Sequence, residues 1–427
     1  MSASVISVPR RIAYGPRSDR RGHRRGLPAR ACSLGVLIFV LVAGSCSTSR
    51  HSPLAVRKPT AASSTVPTTS TTKAATTTVP SSFKPLTTGV EDWTWVTVNQ
   101  GWALVRTPCG TTVCVGLRET VNGGTTWTPL PTPDALDSRA QFDSDVACAA
   151  RPCLSRVRFA TSEIGWLFGP ALFQTEDGGH TWTRIPSAMV DDLEAANGVA
   201  MRITTPDRDC GGGCEFHVDR LRSGSSAWEQ LPTALYNFPS LILQGPDAYI
   251  VDIPNWAGAG QTYLAHSANE GTTWTSINDP CPGTAAGDRT ASASAAPGGV
   301  LVVLCVSVDG GSGSVRVSAD YGKTFGPRRA IPPIPLSTFG PVAAGSADTI
   351  AIAYSRQHNY GVVVTHDNGI TWRATLTPVS AALARTAEFT PSIGWENENT
   401  ARVSFNTDAI WTTRDRGQSW TQNNVTP

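Results

Sequence analysis

From residue 90 onward the chain alternates short apolar runs with turn residues, and no helical period competes with that rhythm. Segments such as "RVRFAT" (156–161), "YLAHS" (263–267) and "GVVVTHD" (361–367) are short and rich in β-branched and aromatic residues, so they predict strands. "QGWALV" (100–105), "IGWLFG" (164–169) and "IGWENE" (393–398) share a Gly-Trp pair and predict a second strand of each unit. "GVAMRIT" (198–204), "DAYIVD" (247–252), "GGVLVVLC" (298–305) and "DTIAIAY" (348–354) take that place elsewhere. Earlier segments such as "TAEFT" (386–390) predict a first strand.

A turn signal recurs after each third strand. Its pattern is Ser/Thr-x-Asp/Asn-x-Gly-x-Ser/Thr-Trp/Phe. The copies are "TVNGGTTW" (120–127), "TEDGGHTW" (175–182), "SANEGTTW" (267–274), "SADYGKTF" (318–325), "THDNGITW" (365–372) and "TRDRGQSW" (413–420). A worn seventh, "LRSGSSAW" (221–228), keeps little beyond its aromatic. The closing aromatics fall at 127, 182, 228, 274, 325, 372 and 420, and this spacing near fifty residues accepts the worn copy. Four antiparallel strands per unit and seven units predict an all-β fold, a seven-bladed β-propeller.

These boxes resemble the Asp-box (BNR) repeat superfamily, over roughly residues 90–423. That superfamily includes sialidases, sortilin-type receptors and photosystem assembly factors, so the resemblance implies a fold and not one function. It also implies that the box turns lie on the face opposite a ligand site. Asn122, Asp177, Asn269, Asp320, Asp367 and Asp415 therefore read as scaffold. Their side chains would bond turn backbone, and Gly179 would supply a positive φ. "DGG" lacks the further acids of a calcium loop. No metal site and no cofactor is expected.

The first 81 residues differ in kind. Eight arginines fill residues 1–30, and an apolar run follows from Ala31 to Cys46, too short for a comfortable membrane span. This reads as a signal peptide over 1–45. "VAGSC" resembles a bacterial lipobox, which implies cleavage before Cys46 and a lipid on its sulfur. Ordinary cleavage near Ala43 and release of the product is the alternative. Residues 46–81, almost all Thr, Ser, Ala and Pro from Lys58 onward, predict an extended stalk, and 82–427 the propeller.

The leader carries eight Arg against one Asp, or +7, so a chain of +2 leaves −5 for the mature part. The basic balance thus says nothing of nucleic acid. Eight further cysteines fall into near neighbours: Cys109/Cys114, Cys148/Cys153, Cys210/Cys214 and Cys281/Cys305. An even count in an exported chain predicts disulfides; a zinc site is the rival, but no pair has C-x-x-C spacing.

With the boxes at one end, a site is expected on the loops at the other. Candidate contacts there are Tyr236, Trp256, Arg356, His358, Tyr360, Glu396 and Glu398. The expected function is a monomeric, membrane-anchored extracytoplasmic scaffold that binds an envelope protein or glycan without catalysis. The alternative is a sialidase-like glycoside hydrolase using loop carboxylates, such as Glu396 with Asp252. Sialidases of this fold carry a Phe-Arg-Ile-Pro-like motif before the first box, and nothing like it precedes Thr120.

Overall fold

The structure, a computed structural model, describes residues 88–138, 148, 150–206, 215–253, 262–281, 288–307, 312–332, 338–356, 359–380, 391–405 and 407–426. The leader, the stalk, Cys46, Cys210, Cys214, Trp256, His358 and the segment 386–390 lie outside the described residues.

Seven sheets follow one another along the chain, antiparallel except for one short parallel pair in the first. Blade 1 holds β1 (Gly89–Trp95), β2 (Gly101–Cys109), β3 (Thr112–Thr120) and β4 (Thr128–Leu130), and the linker adds β5 (Leu136–Asp137) and β6 (Cys153–Leu154). Blade 2 holds β7 (Arg156–Phe159), β8 (Gly165–Phe168), β9 (Leu172–Thr175) and β10 (Thr183–Arg184). Blade 3 holds β11 (Met189–Ala196), β12 (Val199–Thr205), β13 (Phe216–Leu221) and β14 (Glu229–Leu235). Blade 4 holds β15 (Phe238–Gln244), β16 (Asp247–Ile253), β17 (Tyr263–Ser267) and β18 (Thr275–Ile277). Blade 5 holds β19 (Arg289–Ala296), β20 (Val300–Val306), β21 (Gly313–Ser318) and β22 (Arg329–Ala330). Blade 6 holds β23 (Thr338–Ala344), β24 (Ile350–Arg356), β25 (Asn359–Thr365) and β26 (Arg373–Ser380). Blade 7 holds β27 (Ser392–Trp395), β28 (Ala401–Ser404), β29 (Ala409–Thr413) and β30 (Thr421–Asn424). The protein is an all-β, seven-bladed propeller.

The apolar runs are long because each sheet is covered on both faces. In β20, Val302 and Leu304 join the core shared with blade 6, whereas Leu301 and Val303 join the core shared with blade 4. A period-two pattern that is apolar on both phases leaves no polar face. The last such layer closes the ring, with Trp93, Trp95 and Val105 of blade 1 packed with Ile410 and Val425 beyond β28. The Val90 N–H donates to the Thr407 carbonyl at 2.9 Å, and the Trp93 indole donates to the Ser404 hydroxyl at 2.9 Å. All four strands of blade 7 come from one end of the chain, so among the described residues the ring closes without strand exchange.

Neighbouring first strands are also stitched by side chains. Asp92 accepts the Val157 N–H at 2.9 Å, and Asp192 accepts that of Leu241 at 2.9 Å. Ser292 accepts the Val342 N–H at 3.2 Å. In each case the register shifts just before the acceptor, between Val90 and Asp92, Val190 and Asp192, or Thr290 and Ser292. A bulge re-aims the side chain that follows it, here toward the next blade.

One strand expectation is corrected. In blades 1 and 2 the Gly-Trp pair does open the second strand. A Cβ on Gly101 would lie 2.5 Å from Cε3 of Trp95, and one on Gly165 the same distance from the Phe159 ring, so only glycine fits under these rings. In blade 7 the pair lies in the first strand, β27, where Trp395 pairs with Ala401. Residues 396–400 are therefore the first hairpin turn, not a loop after a second strand.

Candidate functional site

The box turns define one end of the ring. In the second box the Thr175 hydroxyl accepts the N–H groups of Asp177 (3.3 Å) and Gly179 (2.9 Å) and donates to the Asp177 carboxylate at 2.8 Å. That carboxylate also accepts the Thr181 N–H at 2.8 Å and its hydroxyl at 2.7 Å. Asn122, Asn269, Asp320, Asp367 and Asp415 accept the N–H four residues on in the same way, at 2.8–2.9 Å. Hydrogen bonds from the threonine hydroxyls, ahead of those from N–H groups, hold Asp177, Asp320 and Asp367 down to about 2. The oxygens are thus taken up inside the turn.

The residue before each box glycine has a positive φ: Gly123, Gly178, Glu270, Tyr321, Asn368 and Arg416. The turn aims its N–H at the first hairpin turn of the same blade, as Gly123 to the Asn99 carbonyl (2.8 Å), Gly178 to Glu163 (2.9 Å) and Arg416 to Asn399 (3.0 Å). The first hairpin turns and the boxes therefore share one end. The far end carries the loops between second and third strands and the linkers between blades.

This sorts the expected contact residues. Tyr236, between β14 and β15, is at the far end and 58% exposed. Beside it Asp252, next to last in β16, is buried and accepts the Asn237 amide at 3.3 Å and the Tyr236 N–H at 3.4 Å. Burial raises the Asp252 carboxyl above its usual range. Tyr360 is the second residue of β25 at the same end, but its ring is buried 5.4 Å from Phe405. Arg356 ends β24 there.

Glu396 and Glu398 are displaced by the shifted strand: both lie in the first hairpin turn of blade 7, at the box end. Glu398 is exposed. Glu396 is buried and ion-paired with Arg402, whose guanidinium donates also to the carbonyls of Gly123 (3.0 Å) and Val98 (2.8 Å) in blade 1. Burial pushes the Glu396 carboxyl up, against the pull of Arg402. Glu396 and Asp252 thus stand at opposite ends of the ring.

The sequence reading missed a buried set of charges among the first strands of blades 1 to 3. Arg158, 1% exposed, donates from Nη1 to Asp92 of blade 1 at 2.7 Å and from Nε to Glu194 of blade 3 at 3.0 Å. Arg156 pairs with Asp192. Arg106 pairs with Glu91 and, at 2.8 Å, with Asp137 of the linker. Burial acts to lower the Arg158 guanidinium, yet Asp92 and Glu194 outweigh it and hold it raised. Burial drives Glu194 up to about 8 despite Arg158. The signal was the placing of acids and bases inside strand-like segments, "GVEDWTW", "RVRF" and "MVDDLEAA".

Three bridges are closed among the described residues, Cys109–Cys114, Cys148–Cys153 and Cys281–Cys305. The first two pack together at the far end of blade 1, around Leu136.

No known family profile matches the chain, and no curated protein matches it. Among solved structures, YCF48 bound to a D1 peptide aligns with a TM-score of 0.47 and 19% identity, over 80% of this chain and 95% of that one. YCF48 from Cyanidioschyzon merolae aligns with a TM-score of 0.46 and 14% identity, over 78% and 94%. An uncharacterised protein from Listeria monocytogenes aligns with a TM-score of 0.45 and 10% identity, over 79% and 93%. At these identities the likeness extends to the fold and no further.

Proposed function

We propose that this propeller is a non-enzymatic binding or assembly scaffold. It works outside the cytoplasm as a monomer, tethered through a lipid on Cys46 and the stalk, and presents its far end to an envelope protein or glycan. One observation carries the reading. The carboxylate pair that the sequence offered is not assembled, because Glu396 is buried against Arg402 at one end while Asp252 lies at the other. Hydrolysis by two carboxylates needs them about 5–10 Å apart across one bond. The box acids are likewise taken up by their own turns. Closed disulfides suit an oxidising compartment. At the far end, the exposed Tyr236 beside the blade 3–4 linker offers the kind of amphipathic anchor that protein and glycan contacts favour.

The test is a glycan array together with crosslinking in the native envelope, using the chain with its disulfides intact. Capture of a defined glycan or protein that weakens at least several-fold with Tyr236→Ala supports the reading. Capture that ignores Tyr236 and instead follows changes on the box end, such as Glu398→Lys, contradicts the choice of end.

A further inference from the structure

The two small bridges on blade 1 look alike in sequence, and their surroundings set them apart. Both join cysteines five residues apart, and in both one sulfur residue is half-buried while the other is enclosed: Cys109 with Cys114 (6% exposed), Cys148 with Cys153 (1%). They share one cluster around Leu136. The guanidinium of Arg151 donates from Nη2 to the Cys114 sulfur at 3.1 Å. The Cys153 sulfur has instead the Arg151 carbonyl oxygen at 3.9 Å. Arg151 is also ion-paired with Asp134, whose side chain is 83% exposed and so screens that cation weakly. The third bridge, Cys281–Cys305, is enclosed at both ends, 4% and 2% exposed.

Thiol–disulfide exchange is fastest when the sulfur attacked is accessible and the departing sulfur is stabilised as thiolate. A neighbouring arginine does the latter by favouring the charged form. Only one of the three described bridges meets both conditions. We infer that Cys109–Cys114 is a thiol–disulfide exchange site for an external dithiol, with Cys109 the sulfur attacked and Cys114 the thiolate that leaves onto Arg151.

The chemistry closes. A thiolate of the dithiol bonds to the Cys109 sulfur, the bond between the two protein sulfurs breaks, and its electron pair stays on Cys114. The second thiol of the reductant then attacks the mixed disulfide at its own sulfur and releases Cys109. The protein gains two electrons and the dithiol leaves as a disulfide; its two protons pass to Cys109 and to solvent. Opening the bridge frees the tip of the β2–β3 hairpin, where Cys114 also pairs with Leu136 of the linker. The site therefore couples the redox state of one bridge to the far-end linker.

A dithiothreitol series on the folded full chain, quenched in acid and alkylated, reads each bridge by peptide mass. Cys109 and Cys114 should label roughly ten-fold faster than either other bridge. Arg151→Gln should slow that bridge roughly ten-fold, and Arg151→Lys should restore most of the rate. Asp134→Asn, which removes the competing carboxylate at an exposed position, should speed it. The Cys281–Cys305 rate serves as the check that each variant is folded. Equal labelling of the three bridges, or a Cys109–Cys114 rate indifferent to charge at 151 and 134, would overturn the inference.

Discussion

The guanidinium of Arg402 lies over the indole of Trp95, 3.2 Å from the ring centroid, and joins the last blade to the first. Nη1 and Nη2 reach the Gly123 and Val98 carbonyls of blade 1, while Nε pairs with Glu396 in its own blade. A ring without strand exchange needs such a clasp, since its last interface has no shared backbone ladder. Removing the cation leaves a carboxylate buried and takes a donor from the Val98 and Gly123 carbonyls, the latter keeping only Arg414 at 3.3 Å. Arg402→Met should destabilise the protein by about 3–5 kcal/mol, and adding Glu396→Leu should recover part of that. Chemical denaturation of the two variants decides; a single variant that is neutral would remove the clasp from the account.

The box hydroxyl should behave as a structural group. Thr175 is buried and serves two N–H donors and the Asp177 carboxylate. Thr175→Ala should cost about 1–2 kcal/mol, whereas Thr175→Ser should be nearly neutral, because Ser267 and Ser318 fill that place in other boxes. Denaturant midpoints of both variants test this.

The left-handed residue of the third intact box is a glutamate. Glu270 has φ +54°, where the first two boxes have Gly123 and Gly178. Its carbonyl accepts Arg220, a bond that survives substitution of the side chain. Glu270→Gly should therefore be neutral or stabilising, by up to about 1 kcal/mol, as relief of the left-handed penalty outweighs the added chain entropy. A clear loss in thermal stability would contradict this.

Two sets of carboxyls give stability opposite dependences on pH. Glu194 is raised to about 8 in the folded state by burial, so the folded chain holds a proton that the unfolded chain has already lost. Its contribution is full below about pH 4 and falls as pH rises toward 8, with a slope of at most about 1.4 kcal/mol per unit. Asp177, Asp320 and Asp367 are depressed to about 2, so their contribution is present above about pH 4 and is lost as pH falls toward 2. Glu194→Gln should gain stability relative to the parent between pH 5 and 8. Parallel stability curves for the two proteins would count against the raised carboxyl.

The repeat was legible because the box is local: hydroxyl, acid, glycine and aromatic lie within eight residues and fold into one turn. The seven blades followed from its spacing. What was misread or missed is non-local. Gly394-Trp395 looks like Gly165-Trp166, but the role of the pair depends on which strand precedes it, and that moved Glu396 to the wrong end. Tyr360 stands in a loop-like stretch, and only the neighbouring blade, through Phe405, shows that its ring is covered. The partners of Arg158 lie 66 residues before and 36 after it, a pairing no window of sequence displays.

The central claim is that the propeller binds and does not hydrolyse. The measurement that tests it most directly is sugar release from a panel of sialosides and other glycosides by the purified chain with its disulfides intact. The account predicts release no greater than the blank at protein concentrations that saturate the captured partner. Release that rises with protein concentration and is abolished by Asp252→Asn would contradict it and place a catalytic carboxylate at the far end of blade 4.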